Sequence, residues 1–312
     1  ATIDGFLRPT QQINSFWMLS GSKSSGGIED EGLSGATWTY YSNNWIYLGL
    51  VEAFVTADYN PRVGFISADN YLLTSPAFTL RLRPKWLPQF IRQYSPGISA
   101  YLYNYLDDLS FREGFVSYTP FAVELQNGSE FSYRISTNWQ SLRNTFSPVG
   151  IDILLGEYQF TSHRFAYRSD FSRKLALSAG YRFGGYFNGE LNTLSSSLRI
   201  APVPHIQLTA DYQFNRLSNL GVERRTEETH LIGTELRLAL NPRVQLISFL
   251  QYNTVSERTT LNSRFVWEYR PLSYIYLVYN DNRQELPDLE TGFIARQQDQ
   301  QGIFKVTYLR QF

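Results

Sequence analysis

The chain of 312 residues is long enough for one large domain or two of ordinary size. Lys and Arg together number 28 and Asp and Glu 28, so the net charge is zero, which argues against a nucleic-acid binder and its basic excess. Cysteine is absent, so no disulfide framework, thiolate metal site or thiol nucleophile is available, and no apolar run approaches the ~20 residues of a membrane helix.

Taken in chain order, strand-like segments are joined by connections that alternate in character. A first segment covers residues 1–8 and ends in the tight "PTQQ" (9–12). The long "SKSSGGIEDEG" (22–32), the short "NN" (43–44) and the long "DYNPRVGFISADNY" (58–71) follow. "RPKWLPQFIRQ" (83–93) is long where a short turn is due, and it contains the best helix candidate, 85–93, which Pro88 weakens. "DDLS" (107–110) and "FNGE" (187–190) are short where length would be tolerated. The remaining tight turns are "NG" (127–128), "FSRK" (171–174), "PVPH" (202–205), "NPR" (241–243) and "PLS" (271–273), all rich in turn formers. Between them lie "RNTFSPVGIDILLGE" (143–157), "LSNLGVERRT" (217–226) and "NRQELPDLETGFIARQQDQ" (282–300), read as long loops.

The segments themselves have a period of two. Ile206, Leu208, Ala210, Tyr212 and Phe214 alternate with Gln207, Thr209, Asp211, Gln213 and Asn215. Ile232, Leu236, Leu238 and Leu240 oppose Gly233, Glu235 and Arg237, and Leu261, Phe265, Trp267 and Tyr269 oppose Asn262, Arg264, Glu268 and Arg270. Such alternation predicts strands wet on one side and apolar on the other. Roughly seventeen segments of about 8 to 14 residues are expected, the length of tilted membrane strands.

The predicted fold is therefore all-β: a transmembrane antiparallel up-and-down barrel with short turns in the periplasm and longer loops outside. Aromatic residues make up 16% of the chain, with 22 Tyr and 22 Phe, and favour both strands and membrane–water interfaces. The mean hydropathy of −0.30 fits a barrel, where every second residue faces a polar lumen. If "PLS" is periplasmic, the first and last segments both descend. Even strand counts then place at least one strand ahead of Ala1, about eighteen or more in all. The ending "QGIFKVTYLRQF" reads as a closing strand and C-terminal assembly signal, with Phe304, Val306, Tyr308 and Phe312 outward.

Several stretches carry a resemblance: "DYNPRVGF" (58–65), "LQNGSEFSYRIS" (125–136), "AGYRFGGYFNGELNTLSSSLRIAP" (179–202), "RFVWEYRPLSYIYLVYND" (264–281) and "GIFKVTYLRQF". In that order they resemble a Bacteroidota-type family of outer-membrane barrels of unknown function, whose barrel often follows an N-terminal module similar to family 9 carbohydrate-binding domains. The resemblance implies the C-terminal barrel of a longer Gram-negative protein. Its implied partners are outer-membrane lipid and lipopolysaccharide, the barrel assembly machinery, other outer-membrane subunits or a glycan ligand, and no nucleic acid.

Three functions remain open. A porin-like channel or ligand-docking barrel for a solute ranks first, a non-transporting anchor or scaffold second, and a barrel hydrolase last. No catalytic, cofactor or metal constellation is expected. His163, His205 and His230 have no nucleophile or carboxylate tied to them by spacing, and read as lumen or rim residues. The charges expected to line the lumen are Arg182, Asp211, Glu235, Arg237, Arg264, Glu268, Arg270 and Lys305, whose mixed signs favour cross-strand pairing over ion selection. The candidate constriction or ligand loop is Tyr59, Asn60, Pro61, Arg62, Gly64, Phe65 and Asp69. Trp17, Trp38, Trp45, Trp86, Trp139, Trp267, Tyr274 and Tyr276 read as interfacial girdle residues, with carbohydrate stacking as the alternative.

Overall fold

The computed structural model describes residues 1–23, 31–61, 64, 66–287 and 294–310. The first half holds β1 (Thr2–Leu7), β2 (Ile13–Lys23), β3 (Glu31–Ser42), β4 (Ile46–Val55), β5 (Tyr71–Leu80), β6 (Ile91–Tyr94), β7 (Gly97–Asn104), β8 (Phe111–Leu125) and β9 (Glu130–Leu142). The second holds β10 (Gly156–Arg168), β11 (Leu175–Tyr186), β12 (Gly189–Val203), β13 (Ile206–Leu220), β14 (Arg225–Asn241), β15 (Val244–Asn253), β16 (Arg258–Arg270), β17 (Ser273–Pro287) and β18 (Ile294–Val306). One 3-10 turn, η1 (Pro148–Gly150), interrupts the connection from β9 to β10.

Each strand pairs antiparallel with its sequence neighbours, so the fold is one up-and-down antiparallel sheet. β6 and β7 are exceptions only in name: β6 pairs with the residues of β8 just beyond those that β7 pairs with. They are halves of one strand split at Ser95–Pro96, so the eighteen strands of the described residues make seventeen passes. Prolines sit where the ladder yields. Pairing of β5 with β7 lapses around Pro76, and Pro120 lies in the β8 bulge between Tyr118 and Phe121.

The tight turns are built by side chains that supply the hydrogen bonds a sharp reversal leaves unmade. Asn43 Oδ1 accepts from the amides of Trp45 and Ile46, and Asn241 Oδ1 from those of Arg243 and Val244. Thr10, Asn127 and Asp170 do the same at their turns.

The helix candidate at 85–93, which Pro88 weakens, is not helical: it makes turns until β6 begins at Ile91. Two expectations are corrected. The loops read at 217–226 and 282–300 are mostly strand, since β13 and β14 leave only residues 221–224 between them, and β17 and β18 leave only 288–293. β14, β17 and β18 carry mostly polar residues on both faces at these ends, and β13 breaks its alternation at the bulge between Leu217 and Leu220, so alternation does not mark them. Cross-strand pairs hold them instead, including Arg296–Glu285 at 3.0 Å and Gln298 to Asp281 at 3.1 Å.

The sheet curls. Flat, β8 and β15 would lie ~34 Å apart, yet Ala122 of β8 and Gln251 of β15 line one cavity of about 710 Å³. The register carries a single inward face from β1 to β18. β1 pairs only with β2 and β18 only with β17 among the described residues. Both edge strands run from the long-loop end to the short-turn end, so they are parallel to one another.

Candidate functional site: the inward face

Seven of the eight charges expected to line the lumen fall on the face shared by Asp211, Gly233 and Gln251; Arg270 stands past the β16 bulge opposite Ser273, which lies on the other face, because the extra residue there reverses the alternation. The structure brings few of them together. Arg237 Nε lies 2.5 Å from Glu235 Oε1, and the Arg264 guanidinium stands 5.3 Å from the inward Tyr276 ring. Asp211 borders the cavity opposite Ser197. Glu268 Oε1 accepts the Leu272 amide and Arg270 faces Ser273, both at a short turn, while Lys305 stands opposite Tyr276. Two further pairs, Arg168–Glu130 at 2.7 Å and Arg92–Glu124 at 2.9 Å, continue the mixed-sign pattern.

Sequence reasoning missed the basic part of this wall. Arg134 of β9, Arg164 of β10 and Arg182 of β11 are direct partners in register, side by side on the inward face. The sequence marks only Arg182 as a lumen charge, because three residues scattered over 134–182 show no common spacing. Pairing alone aligns them.

A second inward feature is aromatic. Phe6, Phe16, Trp38, Tyr40 and Tyr47 form a ladder across β1–β4, with successive ring centroids 4.7, 5.8, 5.3 and 6.1 Å apart. Trp38 lies in this ladder, and Tyr274 and Tyr276 stand opposite the inward Glu268 and Lys305, so all three lie inward and correct the girdle reading. Trp17, Trp139 and Trp267 are outward, and Trp45 and Trp86 lie in connections.

The densest packing lies in neither ladder. The β9–β10 connection folds inward, crossing the β11–β12 turn to reach the β13–β14 hairpin. Ile151 and Ile153, 2% and 0% exposed, are buried there with Phe187, Leu217 and Leu220, against Tyr158, Phe160, Tyr186 and Leu191. Val222 N donates to Asp152 O at 3.2 Å, and Arg225 Nη1 to Gly150 O at 3.2 Å. At Gly221, φ is +76°, and a Cβ would stand 2.5 Å from Ile151 Cγ2, so glycine is required on both counts. At the start of the same connection, Arg143 stacks 3.5 Å from the Tyr105 ring and lies 3.4 Å from Asp108. The Ser110 hydroxyl, above all, holds Asp108 below the usual carboxylate range.

The loop expected to constrict the lumen also packs inward, but against the first strands. Tyr59 Oη donates to Ser20 Oγ at 2.8 Å and Asn60 N to Ser22 Oγ at 2.9 Å. A Cβ on Gly32 would come within 2.2 Å of the Tyr59 backbone. Asp69 contributes its carbonyl to Arg112, at 3.2 Å, and Pro61 packs beside Gly64. Arg62, Phe65 and Phe312 lie outside the described residues. Phe304, Val306 and Tyr308 are exposed.

The histidines are not in the lumen. His163 and His230 face outward, each with Nδ1 at a tyrosine hydroxyl, Tyr133 at 2.8 Å and Tyr212 at 2.9 Å, and each beside outward rings. His205 sits in a short turn against Ala239 O. Among the described residues, no group of three or more His, Cys, Asp or Glu is placed to hold a metal. No protein-family model matches the chain, and no curated protein matches it.

Proposed function

We propose that this chain forms the wall of an outer-membrane β-barrel that passes or docks a solute. The observation that carries the reading is the solvent preference of the two faces. From β10 to β17 the outward face carries an apolar and aromatic band, with Phe165, Leu194, Leu208, Ile232, Leu250 and Leu277 all exposed, while the inward face carries serines, amides and the ion pairs Arg168–Glu130 and Arg237–Glu235; outward ion pairs such as Arg216–Glu228 and Arg296–Glu285 lie at the long-loop ends of the strands. A soluble sheet would cover so large an apolar face, whereas hydrocarbon satisfies it directly. The strands complete their backbone hydrogen bonds through the ladder, as a bilayer demands.

In this reading the short turns face the periplasm, and lipid and lipopolysaccharide contact the outward band. The inward aromatic ladder supports a ring-shaped solute of carbohydrate type, whose C–H faces pack on aromatic faces. The buried β9–β10 connection favours the anchor or scaffold reading instead, because it narrows one side of the lumen.

Conductance decides between them. Purified full-length protein in planar bilayers gives discrete ion-conducting steps if it is a channel. A silent barrel that stays silent after residues 144–155 are removed leaves the scaffold reading.

A further inference from the structure

Three inward cations that join no ion pair among the described residues stand side by side. Arg134, Arg164 and Arg182 are direct cross-strand partners, an arrangement that costs stability because like charges face each other. None joins an ion pair among the described residues, whereas nearby Arg168 and Arg237 do. The neighbours on this face offer no carboxylate either. One step along the strands in one direction stand Ser132, Ala166 and Gly180, and in the other Ser136, Ser162 and Gly184. Across from Arg182 on the next strand is Thr193. The one hydrogen bond from these guanidinium groups to a described residue is Arg134 Nε to Thr119 Oγ1, at 3.3 Å.

The space beside the ladder is open. Arg164 lines the 710 Å³ cavity with Ser132, Gly180 and Ser195; of the carboxylates that also line it, Glu124 and Glu130 are paired to Arg92 and Arg168, and Asp211 stands on β13, two strands beyond Arg182. Gly180 has no side chain to fill it, and Arg164 Nη2 lies 3.7 Å from where a Cβ would stand there. Planar guanidinium forks next to hydroxyls match the oxygens of a tetrahedral anion, and arginine rows line anion and phosphate pores.

We propose that the Arg134–Arg164–Arg182 ladder binds a phosphate-class oxyanion, free or as the ester of a solute, and biases the lumen towards anions. The binding half stands without a pore. The selectivity half rests on the channel reading above.

Two measurements separate these halves. In the first, detergent-solubilised full-length protein is melted in inorganic phosphate and in chloride at matched ionic strength. The wild type melts higher in phosphate, and Arg164→Gln needs about tenfold more phosphate for the same rise, the loss expected for one charge-assisted hydrogen bond. In chloride the variant melts no lower than the wild type, because it removes a repulsion; a merely structural arginine would melt lower when replaced. Arg182→Gln repeats the comparison should Arg164→Gln fail to fold. Equal melting of the wild type in the two salts overturns the site. So does a variant that keeps the full phosphate response.

In the second, the reversal potential under a potassium chloride gradient reads selectivity. The wild type prefers chloride, and Arg164→Gln with Arg182→Gln shifts the potential towards potassium. A conducting pore whose potential does not move overturns the selectivity half. A silent bilayer with phosphate binding intact rejects the pore and upholds the site.

Discussion

Replacing Ile153 by Ala destabilises the protein by about 2–5 kcal/mol, the range for emptying a fully buried aliphatic site. Ile153 is 0% exposed and Ile151 2%, and they share one cluster with Leu217 and Leu220. That cluster pins the β9–β10 connection to the inward side of the sheet. The variant therefore does two things at once in a folded barrel. It lowers the denaturant midpoint and, on the channel reading proposed above, it raises conductance or makes it noisy by freeing a segment that narrows the lumen. A control such as Leu155→Ala, at an exposed position in the same connection, leaves both readouts near the wild-type values. An unchanged midpoint for Ile153→Ala would show that the connection is not held as described.

Charge placed on neighbouring residues of β15 gives opposite results. Leu250 faces outward between Thr234 and Leu261, and Gln251 faces inward between Gly233 and Thr260. Arg on the lipid face of a barrel costs about 2–4 kcal/mol near the bilayer midplane, whereas on the lumen face it is tolerated. Leu250→Arg accordingly folds poorly into lipid vesicles, by urea titration of the folded fraction, and Gln251→Arg folds like the wild type. Equal behaviour of the two would remove the solvent asymmetry on which the membrane reading depends.

Both effects depend on features with different visibility in the sequence. The outward band was legible because alternation is a local signal: Leu208, Ala210 and Tyr212 against Thr209, Asp211 and Gln213 assign their own faces. The turns were legible for the same reason, since Asn43, Asn127 and Asn241 carry their hydrogen-bonding partners within three residues. Loop lengths were misread where strands continue with polar residues on both faces, as in β14 and β17. The buried cluster under η1 was missed because it joins Ile151 to Leu220 across the interior, and "GIDILLGE" alone cannot show which wall it meets. The arginine ladder was missed for a related reason. Its three members occupy separate strands, and only the register of β9, β10 and β11 sets them side by side.

The central claim, that one face of this sheet meets lipid and the other water, is tested most directly along β13. The chain has no cysteine, so single substitutions from Leu208→Cys to Gln213→Cys give clean labelling sites. Each variant is spin-labelled in lipid vesicles, and its accessibility to oxygen and to a water-soluble relaxation agent is measured. The expected pattern has a period of two, with positions 208, 210 and 212 favouring oxygen and 209, 211 and 213 favouring the aqueous agent. Equal access of the aqueous agent to all six positions would contradict it.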